Sequence, residues 1–168
     1  QAPGIFIQQD DGSFKKINIP IFEKDKFYED LGIEIFDADN DGDNDIYIAS
    51  GGNEFNEGSQ GYEDRFYENK GNLNFDRNKT AIPNARISGL EVSSHDYDQD
   101  GDIDLFVGGR LSPKKYPYPS SSRILENQSS SGNIKFVDVT NEKNKALKNI
   151  GLVTTSTWVD IDGDMWDD

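Results

Sequence analysis

The nonapeptide DADNDGDND, residues 37–45, places an aspartate at every second position. Five carboxylates this close repel one another, and they stabilise neither a helix face nor a sheet face. Numbered from Asp37, the acids Asp37, Asp39, Asp41, Asp43 and Asp45 stand at positions 1, 3, 5, 7 and 9, with Gly42 at position 6. Carboxylates at 1, 3 and 5 of a tight loop converge on one point. Glycine at 6 permits the sharp turn that lets position 7 offer its backbone carbonyl. A cage of oxygens alone suits a hard cation of variable coordination number, so Ca2+ is expected over Mg2+ or Zn2+. The repulsion is relieved once the ion is bound, which makes the metal part of the fold.

The pattern recurs. Residues 96–104, DYDQDGDID, repeat it with Asp96, Asp98, Asp100, Asp102 and Asp104 around Gly101. Residues 160–168, DIDGDMWDD, place Asp160, Asp162, Asp164 and Asp168 at positions 1, 3, 5 and 9, but Met165 takes the glycine position. Two complete calcium loops are therefore expected, and a third that lacks its turn glycine and a following strand to anchor Asp168. Asp43 and Asp102 are expected to bind through their carbonyls, with side chains pointing outward. An EF-hand is excluded, because that loop needs a bidentate Glu at position 12. Ile48 and Val107 stand there instead, in apolar strands.

Around the loops lies a longer repeat. One part is a strand pair with a Gly-containing turn, ending in Phe14, Phe75 or Phe136: 4–14, 64–75 and 122–136. The other is an apolar strand, the acidic loop and a second apolar strand: 31–52, 89–110 and 151–168. Asp37 and Asp96 are 59 residues apart, and Asp96 and Asp160 are 64 apart. A period near 60 with about four short strands per copy is the pattern of a β-propeller blade. The fold expected over 1–168 is all-β, a partial propeller of about three blades with approximate repeats 4–52, 64–110 and 122–168. Closed propellers need about four to eight blades, so the sequence reads as a fragment of a longer chain, truncated at its C-terminal side.

Composition narrows the function. The net charge is −15, and fifteen of the 32 acids sit in the three nonapeptides, so the charge is concentrated in loops and does not signal disorder. No lysine or arginine stripe suits a phosphate backbone, so nucleic acid is not an expected partner. There is no cysteine, hence no disulfide and no thiolate site, and no apolar run long enough to span a membrane as a helix.

These residues resemble the FG-GAP/VCBS repeats of integrin-α-type propellers. A narrower likeness is to bacterial proteins, mostly from Bacteroidetes, that are similar to cartilage acidic protein and usually end in an ASPIC/UnbV domain. It rests on residues 30–55, 62–75, 96–128 (with GGRLSPKKYPYPSSS) and 135–140, nearly half of the chain. The resemblance implies a seven-bladed, calcium-binding propeller, secreted or on the outer-membrane surface, that binds protein or glycan and supplies no catalytic residues. The function expected is a non-enzymatic binding or scaffold module, including a subunit of an outer-membrane complex whose other chains are partners. The alternative is the propeller domain of a secreted polysaccharide lyase or glycosidase. His95, the one histidine, reads as a strand residue beside the second loop. Glu54, Glu57, Glu63 and Glu68 read as solvated loop or strand-edge residues. The loop Arg110–Ser122 combines Arg110, Lys114 and Lys115 with Tyr116 and Tyr118 and three prolines. It reads either as a recognition surface or as a rigid loop packed on the neighbouring blade.

Overall fold

A strand buried on both faces must be apolar at consecutive positions, and residues 46–49 (Ile-Tyr-Ile-Ala) and 105–107 (Leu-Phe-Val) meet that condition. They form the second strands of two four-stranded antiparallel sheets in a computed structural model describing residues 4–130 and 132–168. Gln1–Pro3 and Ser131, the latter within the third hairpin copy, lie outside the described residues. The first sheet runs β3 (Asp30–Phe36), β4 (Asp45–Ser50), β5 (Arg65–Asn69), β6 (Phe75–Arg77) in spatial order. The second repeats it with β7 (Gly89–His95), β8 (Asp104–Gly109), β9 (Arg123–Asn127) and β10 (Phe136–Asp138). This is the up-and-down meander of propeller blades. Each sheet begins at the strand before an acidic loop. The repeats phased on the hairpin (4–52, 64–110, 122–168) instead divide each sheet between its second and third strands.

Alternation along β4 and β8 decides what each blade face buries. Tyr47 and Ala49 of β4 meet Leu105 and Val107 of β8 in the core between the sheets, with Phe36, Phe66, Leu125 and Phe136. Ile46 and Ile48 face the other way, onto a cluster with Ile19, Phe22, Tyr67 and Phe75. That cluster is covered by a separate hairpin, β1 (Ile5–Gln8) and β2 (Phe14–Ile17), and by the short helix α1 (Pro20–Lys24). Gly12, with φ +82°, makes the expected turn of this hairpin. Phe106 of β8 faces a third cluster with Ile124 and Val139, against which Leu147, Val153 and Trp158 pack. Each large side chain buried in this way contributes roughly 1.5–3 kcal/mol. The blades come close at their first strands, where a Cβ on Gly32 would stand 2.8 Å from the Leu90 carbonyl.

Polar contacts join the blades as well. Asp64, just before β5, accepts hydrogen bonds from Tyr47 Oη (2.7 Å) and the Ser50 amide (2.9 Å), and pairs with buried Arg123 of β9. Arg65, at the matching position of the first blade, pairs with Asp30 and lies over the Tyr28 ring at 4.4 Å.

The strand expected at 151–159 joins no sheet: Val153 donates to the Gly109 carbonyl (3.0 Å), and Ser156 meets Glu91 and Ser93 of β7 through side chains. After β10 come two short helical turns, α2 (Thr140–Lys143) and a 3-10 turn, Lys145–Asn149.

Candidate metal centre

Antiparallel meandering sends the β3–β4 and β7–β8 connections, residues 37–44 and 96–103, to the same end of the molecule. The hairpin turn 70–74 lies there too. The loops 51–64, 78–88 and 110–122 lie at the opposite end.

Each acidic loop is built by its first aspartate. Asp37 accepts the amides of Asp41 (3.1 Å) and Gly42 (2.8 Å). Asp96 accepts those of Asp100 (3.0 Å) and Gly101 (3.0 Å). The bends this requires are left-handed at positions 4 and 6: Asn40 (φ +58°) and Gly42 (+91°), then Gln99 (+60°) and Gly101 (+97°). The ninth residue closes the loop. Asp45 takes the Ala38 amide (3.2 Å) on one oxygen and the Asn69 amide (2.8 Å) on the other. Asp104 does the same with Tyr97 (3.3 Å) and Asn127 (2.8 Å).

The structure brings the carboxylates of positions 1, 3 and 9 together. Asp37, Asp39 and Asp45, and likewise Asp96, Asp98 and Asp104, each offer an oxygen within 4.8 Å of the others. The position-5 acids lie outside these triads. Asp41 accepts the Asp43 amide (2.8 Å) and Asp100 the Asp102 amide (3.2 Å), so each carboxylate shapes the turn. Asp102 departs from expectation. Its side chain is tucked in against Asp100, with Oδ1 buried and unpartnered, and does not point outward.

The third loop is better ordered than its sequence promised. Asp160 accepts the amides of Asp164 (3.1 Å) and Met165 (2.9 Å), as Asp37 does with its own loop. Asp168, expected to be unanchored, donates to the Val159 carbonyl (3.0 Å) and accepts the Ile161 amide (3.2 Å). Asp160, Asp162 and Asp168 form a third triad, more exposed than the other two. The glycine is at position 4 here, Gly163, and Met165 carries a left-handed φ of +73°. A non-glycine residue in that region costs about 1–2 kcal/mol. Met165→Gly is expected to raise stability by about 1 kcal/mol in a denaturant melt. No change would show that Met165 relaxes elsewhere.

Burial makes the first two triads costly without a counter-ion. It pushes Asp45 up to about 6 and Asp104 up to about 7, against partial relief from the amide hydrogen bonds. Asp102 rises to about 6, and Asp39 and Asp98 rise as well, each first through burial and then through neighbouring aspartates. Among the described residues no lysine or arginine forms an ion pair with any member of these two triads. Asp98 Oδ1, like Asp102 Oδ1, is buried with no hydrogen-bond partner. Unpaired buried carboxylate oxygens, converging and all-oxygen, fit a divalent hard cation. Asp160, half-buried and held by three backbone amides, is instead shifted down.

Two residues absent from the sequence reading complete the site. Asn69 and Asn127 end β5 and β9. Besides anchoring the ninth aspartate, their side chains donate to the carbonyls of Asn44 (3.2 Å) and Ile103 (3.1 Å). The signal was the recurring Glu-Asn, 68–69 and 126–127, before each turn. Asn127 does more, since its Nδ2 also donates across the blade boundary to the Ala38 carbonyl (2.9 Å), inside the first loop. Asn127→Ala is expected to cost about 1–3 kcal/mol by leaving buried carbonyls unpaired. Asn69→Ala, which spans no boundary, should cost less. Equal losses in urea melts would contradict the cross-blade role.

His95 ends β7 as expected. It also stacks on Trp158 (5.6 Å between rings), and its Nε2 meets Asp167 at 2.5 Å.

Two stacked antiparallel blades, each with an acidic nonapeptide between its first two strands, define a β-propeller-type repeat protein. Residues 37–107 match the family model of the FG-GAP-like repeat, from the first acidic loop into β8, so this stretch of the chain is similar to an FG-GAP repeat. No curated protein matches the chain. No helix among the described residues is long and apolar enough to cross a membrane.

Proposed function

We propose that the chain is a calcium-dependent binding module that works outside the cell or at the outer-membrane surface and carries out no reaction itself. Its ligand is a protein or a glycan, and other chains of a surface complex are its natural neighbours. Calcium is held in the first loop by Asp37, Asp39 and Asp45, with Asp41 and the Asp43 carbonyl completing the cage. Asp96, Asp98, Asp104, Asp100 and the Asp102 carbonyl play these roles in the second, and Asp160, Asp162, Asp164 and Asp168 in the third.

The observation that carries this reading is the buried, unpartnered oxygen of Asp98 within a triad that no lysine or arginine pairs with among the described residues. A bound ion supplies the missing partner and pins strand β7 to β8 at the loop. Sites of modest affinity are filled at the near-millimolar calcium of extracellular fluids and left empty at cytosolic levels, which supports an external location. Isothermal titration with calcium tests the claim. Two or three sites filled below millimolar concentration are expected, with magnesium binding weaker. Absence of any heat or shift with calcium removes it.

A further inference from the structure

At the end of the molecule opposite the acidic loops lies an open cavity of about 410 Å³, lined by residues of four segments. Arg86 and Ser88 come from the link between blades, Ser112, Pro119, Ser120 and Ser121 from the β8–β9 loop, and Lys148 from the 3-10 turn after the second blade; the fourth segment, the β4–β5 loop, contributes Glu57, whose carboxylate is paired with Lys115. We propose that this cavity binds an acidic saccharide, one bearing a carboxylate on a hydroxylated ring, such as a uronic-acid oligosaccharide. The inference rests on the binding-module reading and gives it a ligand class and a place.

The chemistry is set by which groups remain free. Arg86 donates no hydrogen bond among the described residues; its nearest acid, Glu63, stands at 3.8 Å and already holds Arg77 at 2.9 Å. In a chain of net charge −15, a guanidinium left without a close partner is a ready fork for a carboxylate. Lys148 spends one donor on Asn141 (2.7 Å) and keeps the others. The serines are the complement. Ser112, Ser120 and Ser121 donate their hydroxyl protons to the carbonyls of Pro119, Ser88 and Ser122. Their oxygens are therefore left as acceptors, which suits the hydroxyl donors of a sugar ring. Between Ser112 and Pro119 the same loop exposes Tyr116 and Tyr118 (75% and 68%), flat rings of the kind sugars pack on.

The loop is fixed in advance, which limits the ordering cost of binding. Lys114 Nζ donates to Asn56 (2.9 Å) and Lys115 pairs with Glu57 (2.7 Å), both across the blade boundary. Both sequence readings of this loop thus have a structural basis: its lysines pack on the first blade, and its tyrosines and serines stay open. Arg86 is itself held at a left-handed φ of +46°, a conformation that sets its direction.

The test is titration by protein-observed NMR, in calcium, with tri-galacturonate, the neutral galactotriose and a Glu-containing tripeptide. Tri-galacturonate is expected to shift the amides of 86–88, 112–121 and 148–149, with the neutral sugar at least tenfold weaker. Arg86→Gly, which suits the left-handed backbone, and Lys148→Ala should each weaken binding about tenfold. Lys135→Ala, in the β9–β10 turn at the other end, should leave it unchanged. Equal binding of the neutral sugar, tighter binding of the tripeptide, or unaltered affinity of the Arg86 and Lys148 variants would overturn the proposal. Loss of uronate binding alone, with calcium heats intact, would leave the calcium reading standing.

Discussion

Chelation with EDTA will lower the melting temperature, and will lower it more at pH 8 than at pH 5. Taking affinities near 10 μM as a working scale, about 1 mM calcium exceeds the dissociation constant a hundredfold and stabilises by about 2.7 kcal/mol per site. Two such sites give roughly 5 kcal/mol, which for a chain of this length is on the order of 10–20 °C. The pH dependence follows from Asp45 and Asp104. Their folded values, about 6 and about 7, lie above the ordinary 3.8 of the unfolded chain. The metal-free folded state therefore binds more protons than the unfolded one between those limits. The stability this gives is fully present below about pH 4 and is lost as pH rises through 6 to 7. Calcium reverses the sense, because it binds the ionised carboxylates and competes with protons. The acids shifted downward, Asp11, Glu54, Glu126 and Asp160, have given most of their contribution by pH 5, so they blur the comparison little. Melting curves with and without EDTA at the two pH values decide it. An unmoved transition at both removes the metal from the fold, and a larger drop at pH 5 contradicts the burial argument.

What the sequence disclosed and what it hid have physical causes. The loops were legible because a carboxylate at every second position has few explanations besides a cation. The blades were legible because Ile-Tyr-Ile-Ala and Leu-Phe-Val are apolar on both faces, as strands between two cores must be. The phase of the repeat was not, since a strand's partner is set by long-range pairing and Phe75 and Phe136 mark only where a hairpin ends. Spacing places Asp41 and Asp100 in the cage, but it cannot show that each carboxylate also accepts the amide two residues on. Asn127 was invisible for a similar reason, because its bond to Ala38 joins residues 89 apart. Asp168 was misjudged because its anchor is the preceding extended segment, at Val159 and Ile161, and not a following strand.

The unequal burial of positions 5 and 9 leads to the second large effect. Asp104→Ala will destabilise the calcium-loaded protein by about 3–5 kcal/mol, near 10 °C in melting temperature, and Asp100→Ala by only about 1 kcal/mol. Asp104 is fully buried and accepts two backbone amides from different segments, Asn127 of β9 and Tyr97 of the loop. Alanine leaves both amides without partners and deprives the ion of a ligand. Asp100 is exposed and accepts the single amide of Asp102. Asp104→Asn separates the two losses, because an amide keeps one acceptor but presents a donor to the other N–H. It should fall between wild type and alanine. In EDTA at pH 8 the Asp104→Ala penalty should shrink, since removing the charge relieves its repulsion with Asp98 and Asp102 and offsets part of the lost hydrogen bonding. Denaturant melts of the three variants, with calcium and with EDTA, read all of this. If Asp100→Ala proves as damaging as Asp104→Ala in calcium, the fifth position is a ligand of equal weight and the 1, 3, 9 triad is not the centre of the site. If the Asp104→Ala penalty is the same with and without metal, Asp104 serves the backbone alone and the ion sits elsewhere.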